Sequence, residues 1–139
     1  MLKKTVLAFM AMILLCLGGS AQVIRNAQNR ILGNVDKEGI VRNSGNSIVA
    51  KMQGGVVRDN GNIILCKVER NGAIYNHDNR LLGNVSSNGT VRNNNNSIVG
   101  KIDSNGSIYD SNNSIIGYAK GVSSTLTAIL FFFYPRLLL

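Results

Sequence analysis

A pattern of about seventeen residues returns six times along this chain, and a self-similar period of that kind limits the fold more than any other feature. The units begin at Val23, Ile40, Val56, Ala73, Thr90 and Ser107. The second is one residue shorter, in its Gln53-Gly54-Gly55 turn, and the sixth is truncated. Each unit's second position is apolar and β-branched: Ile24, Val41, Val57, Ile74, Val91, Ile108. The third carries Arg25, Arg42, Arg58, Tyr75, Arg92 and Tyr109. A polar turn follows, with Asn or Asp fourth and Asn at every seventh place, from Asn29 to Asn113.

A second apolar run then begins. Its ninth and tenth positions are Ile31-Leu32, Ile48-Val49, Ile64-Leu65, Leu81-Leu82, Ile98-Val99 and Ile115-Ile116. The eleventh is small in every unit: Gly33, Ala50, Cys66, Gly83, Gly100, Gly117. Most units close in a turn ending on Gly, as at Gly39 and Gly72. Short β-rich runs at even spacing between Asn- and Gly-rich turns predict an all-β meander. Asn and Gly suit such turns because Gly takes positive φ freely and Asn tolerates it while bonding the local backbone.

Strand alternation assigns faces. Side chains two apart share one, so the ninth, eleventh and thirteenth positions are expected to face a common core. The tenth then points away and needs a covering neighbour. Each second strand should turn back into the first strand of the next unit, giving about five β-hairpins around an axis. The strands left over, near Val23–Arg25 and Ile115–Tyr118, could pair and close the ring, which would remove open sheet edges.

The run Ile98–Asp110 (Ile-Val-Gly-Lys-Ile-Asp-Ser-Asn-Gly-Ser-Ile-Tyr-Asp), with Ile115-Ile116-Gly117-Tyr118-Ala119, resembles the small exported bacterial proteins called five-fold β-flower proteins. The likeness covers residues 23–121. It implies hairpin petals around an axis and brings no active site.

Residues 1–21 read as a signal peptide, with Lys3 and Lys4 before an apolar stretch Val6–Leu17 and the small residues Gly19-Ser20-Ala21 before a cut. The Ser-Ala-Gln ending is similar to those common in Bacteroidetes. The stretch is short for a membrane span, and Leu15 stands where lipidation of Cys16 would want a small residue. Export to the periplasm or beyond is therefore expected. Cleavage removes two lysines and no acids, so the net charge falls from +8 to +6. A basic exported chain favours anionic partners such as polyanionic glycans or lipid headgroups, or an envelope protein, and nucleic acid is not expected outside the cytoplasm. Cys66 is then the one remaining cysteine, which excludes an intrachain disulfide.

Residues 22–121 are expected to form the hairpin domain and 122–139 an apolar carboxy-terminal segment packed on it. Ser123 or Ser124 can cap a helix there, Val122, Leu126, Ile129, Leu130 and Phe133 fall at helical spacing, and Pro135 should end it near Tyr134. The segment either plugs one end of the flower or presents Phe131, Phe132 and Phe133 to a membrane or partner.

Catalytic chemistry has little to work with. His77 is the lone histidine and sits in a turn beside Asp78. The Asp59-Asn60-Gly61-Asn62 and Asp103-Ser104-Asn105-Gly106 stretches resemble calcium loops but lack the closing bidentate Glu, and tight-turn chemistry explains the same residues. No catalytic, cofactor or metal site is expected. The third positions are the remaining candidates: facing outward, Arg25, Arg42, Arg58, Tyr75, Arg92 and Tyr109 would form a ring suited to anionic groups and sugars. Two functions follow from this reading: a non-catalytic binding or interaction module of the bacterial cell envelope, or a structural envelope protein attached through its apolar tail.

Overall fold

The computed structural model describes residues 21–139, so the expected signal peptide, apart from Ala21, lies outside the described residues. The strands are β1 (Gln22–Asn26), β2 (Ile31–Val35), β3 (Ile40–Asn43), β4 (Ile48–Gln53), β5 (Val56–Asp59) and β6 (Ile64–Val68). They continue as β7 (Ala73–Asn76), β8 (Leu81–Val85), β9 (Thr90–Asn93), β10 (Ile98–Ile102), β11 (Ser107–Asp110) and β12 (Ile115–Tyr118). Every neighbour in sequence is an antiparallel neighbour in space, and β1 pairs with β12 at Arg25↔Tyr118 and Asn26↔Gly117 to close a barrel. Among the described residues no sheet edge is left open.

Two kinds of turn drive this meander. At one end of the barrel, Asn26 Oδ1 accepts the backbone N–H of Gln28 and of Arg30, and Asn29 takes φ 66°. The same arrangement returns at Asn43, Asp59, Asn76, Asn93 and Asp110, and the asparagines three residues later hold φ between 63° and 66°. One acceptor thus satisfies two turn donors, and a left-handed asparagine reverses the chain. At the other end Gly54 and Gly55, both at positive φ, make the two-residue turn that explains the shorter second unit.

The expected face assignment fails at one place, for a definite reason. Between Val41↔Ala50 and Arg42↔Ile48 the register slips by one residue, leaving Val49 unopposed. The same bulge leaves Leu32, Leu65, Leu82, Val99 and Ile116 unopposed. An inserted residue inverts the alternation for everything before it. The ninth positions therefore face outward, with Ile31, Ile48, Leu81, Ile98 and Ile115 exposed by 39 to 53%. The tenth positions, expected to point away, pack against the core instead. The second and eleventh positions do face inward, as Ile24, Val41, Val57, Ile74, Val91, Ile108, Ala50 and Cys66 are all fully buried.

The carboxy-terminal segment fills the barrel. Ser123 caps helix α1 (Ser124–Ala128), its Oγ accepting the Leu126 N–H at 3.2 Å. Instead of continuing as α-helix to Tyr134, the chain widens into a π-helical turn over Ile129–Phe133, closed by the Tyr134 N–H on the Ile129 carbonyl at 2.7 Å. Pro135 does not end the structure but begins a 3-10 helix, Pro135–Leu138, because its fixed φ and missing N–H suit a first helical position. Leu126, Ala128, Ile129, Leu130 and Leu138 are buried in one cluster with the inward residues of the strands. No described helix is long and apolar enough to cross a membrane.

The aromatic run and the small eleventh positions fit each other in order. A Cβ on Gly117 would strike the ring of Phe131, one on Gly100 that of Phe132, and one on Gly83 that of Phe133. Tyr134 comes next, donating its hydroxyl to the Leu65 carbonyl at 3.0 Å beside Cys66. Four consecutive side chains thus step round the lumen across β12, β10, β8 and β6. A π turn makes this fan by rotating each residue less than the roughly 100° of an α-helix. The Leu65 carbonyl belongs to a bulge residue, so the tyrosine satisfies a group close to where the ladder is disrupted.

Candidate functional site

Position in the ladder decides where each polar side chain goes. Residues between two inward neighbours must face out, and this applies to Arg25, Arg42, Arg58, Tyr75, Arg92 and Tyr109, all half-buried on the outer wall. The closed ring brings each of them directly opposite a residue of the adjacent strand: Tyr118, Asn34, Lys51, Lys67, Asn84 and Lys101 respectively. The site is therefore a belt with two contributions per unit. Sequence reasoning missed the second contribution, although the signal was present. Lys51, Lys67 and Lys101 each lie between an inward eleventh and an inward thirteenth position, so alternation alone turns them outward.

Charge is not spread evenly round the belt. Arg42 Nη1 lies 3.1 Å from Asp36 Oδ2, and Lys101 Nζ lies 4.0 Å from Asp103 Oδ1. Partial burial pushes the Asp36 carboxyl up, but the Ile40 N–H, the Arg42 guanidinium and the Glu38 N–H together outweigh it and hold the group below its ordinary value. Lys51 and Arg58 face each other across β4 and β5, Lys67 stands on β6 opposite Val56, and none of the three cations has a carboxylate within 4.0 Å among the described residues. Like charges directly opposite one another destabilise a sheet. A shallow groove of about 230 Å³ lies at the Lys51–Arg58 end of this arc, lined by Ile40, Ile48, Lys51, Arg58, Asp59, Asn60 and Asn62. Asp59 is occupied, its Oδ1 accepting the N–H groups of Gly61 and Ile63.

Two larger grooves of about 570 and 480 Å³ open at the opposite end, either side of Gly121 and Val122 where the chain enters the barrel. Asp36 in the first already serves Arg42 and the local backbone.

The other sequence candidates fall apart from one another. His77 Nε2 lies 3.3 Å from Asp78 Oδ2, with both side chains more than 60% exposed. Among the described residues no three His, Cys, Asp or Glu gather where a metal could sit. Burial pushes the Cys66 thiol up to about 12, and it pushes the Tyr134 hydroxyl up as well, with Cys66 adding to the effect. Phe131, Phe132 and Phe133 are half-buried against the core.

Residues 21–135 match a family described as the 5-fold beta-flower proteins. The chain belongs to that family. No curated protein and no solved structure matches it. In this β-flower protein the belt lies on the outer wall of the closed barrel.

Proposed function

We propose that this β-flower protein is a non-catalytic, exported module of the bacterial cell envelope, in a Bacteroidetes-like cell, that binds a partner through its outer belt. The finer architecture we infer is that of six repeats giving five hairpin petals, with β1 and β12 joining the ring. One observation carries the functional reading: Lys51 and Arg58 are held face to face on the outer wall with no carboxylate within 4.0 Å among the described residues. That arrangement costs the fold something and is relieved when an anion binds between them. The competing reading, attachment through the apolar tail, draws less support, since Leu126, Ala128, Ile129 and Leu130 are spent in the core.

The test is association of the purified protein with isolated envelope fractions. A variant with Arg25, Arg42, Arg58 and Arg92 changed to alanine should melt like the parent and lose association. A folded belt variant that associates unchanged would overturn the reading.

A further inference from the structure

We propose that Lys51, Arg58, Lys67 and Tyr75 form a one-sided track for a polyanionic sugar chain. The proposal rests on the reading of the belt as the contact surface and names its occupant and its location.

The four residues stand on four successive strands, β4 to β7, at cross-strand positions Lys51↔Arg58 and Lys67↔Tyr75. Strands step by about 4.8 Å, so the track runs about 14 Å round the barrel, and it shifts along the strands between β5 and β6, where Lys67 stands opposite Val56 rather than Arg58. A linear chain laid along it meets a cation on each of three strands and then an aromatic ring. On the far side the sequence of belt residues is different. Asn84 and Arg92 are followed by a Lys101 that already has Asp103, then by Tyr109, Tyr118 and Arg25, so the two cations without a carboxylate there, Arg92 and Arg25, are separated by three strands. The free positive charge is therefore densest on one face.

The shape and flanks of the arc select among anions. A groove of about 230 Å³ is smaller than the roughly 300 Å³ at which small-molecule pockets begin, so it suits one residue of a longer chain. Ile40 and Ile48 line it beside Lys51 and Arg58, Asn60 and Asn62 add side-chain amides, and the Asp59 carboxylate in the same lining has its Oδ1 turned to the Gly61 and Ile63 N–H groups. Charge, amide and apolar surface together match a sugar bearing carboxylate or sulfate, whose ring has both polar edges and apolar faces. A flat bilayer would touch this convex wall along only a narrow line. A nucleic acid strand would want aromatic platforms for successive bases, and the track has Tyr75 alone.

The experiment is calorimetric titration of the purified protein with a heparin-derived hexasaccharide at two salt concentrations, with vesicles of anionic phospholipid in parallel. Two triple variants are compared: Lys51→Ala/Arg58→Ala/Lys67→Ala on the track, and Arg25→Ala/Arg92→Ala/Lys101→Ala away from it. Removing the three cations of the track should weaken binding roughly tenfold, and removing the three belt cations away from it should weaken binding by less, about threefold. Arg58→Glu guards against misfolding, because it places an opposite charge across from Lys51 and should hold or raise the melting temperature while weakening binding. Equal losses in both triples would overturn the track and leave the belt as the contact surface. Vesicle binding without hexasaccharide binding would overturn the sugar assignment alone. Binding of neither probe would overturn both the track and the anionic reading of the belt.

Discussion

Replacing Gly100 with alanine would place a methyl group inside the Phe132 ring and against the Tyr109 carbonyl. The carbonyl can give way, since Ala50 and Cys66 carry a Cβ at the equivalent place in β4 and β6 and are fully buried there. The ring must shift, and its neighbours in the fan, Phe131 and Phe133, are seated against Gly117 and Gly83. Overpacking of this kind costs about 1–3 kcal/mol, from which a gain of about 0.4–1 kcal/mol in the unfolded chain must be subtracted. The net loss lowers the melting temperature by several degrees, at about 4 °C per kcal/mol for a domain of this size. Gly33→Ala is the matched control. The atoms nearest its Cβ would be backbone atoms of Arg42 and Asn43 rather than an aromatic ring, so it should cost less than Gly100→Ala. Shortening the ring with Phe132→Leu should rescue Gly100→Ala, giving a favourable coupling of more than about 0.5 kcal/mol in a double-mutant cycle followed by circular dichroism in urea. Equal costs for Gly33→Ala and Gly100→Ala, with no coupling to Phe132, would refute the idea that the aromatic fan dictates these glycines.

Other outcomes follow from the same geometry. Deleting residues 122–139 removes Leu126, Ala128, Ile129, Leu130 and Leu138 from the core and should abolish the cooperative melt, whereas a folded truncation would show that the barrel stands without its filling. At Asn96, held at φ 64°, alanine should cost about 1 kcal/mol relative to glycine, read from paired thermal melts. Cys66, with its thiol pushed up to about 12 by burial, should resist a thiol-reactive dye at pH 8 until denaturant is added, and prompt labelling of the folded protein would contradict that burial.

Local chemistry wrote much of this fold into the chain. The alternation of apolar runs with Asn and Gly turns announces strands, because the turn residues act through their own backbone preferences and need no distant partner. The pairing of the first strand with the last was also legible, as the only way for the unpaired ends of a regular meander to find neighbours. The outward Arg and Tyr ring could be read in the same way, from the strand period.

What escaped the sequence depends on contacts far apart in the chain. A bulge adds one residue without altering the apolar pattern, so Ile31 and Leu32 look interchangeable until β1 is laid against β2 and the register shows which of them is extra. The helical spacing of the last segment promised one continuous helix, but the lumen it fills favours a widened turn that sends Phe131, Phe132 and Phe133 to three different strands. Likewise, Lys51 and Arg58 lie seven residues apart in the chain, and only the β4–β5 pairing sets their charges face to face. Turn chemistry is decided by residues a few places apart and can be read along the chain, whereas register, packing in the lumen and the charge of the outer wall are sums over neighbours that exist only once the barrel has closed.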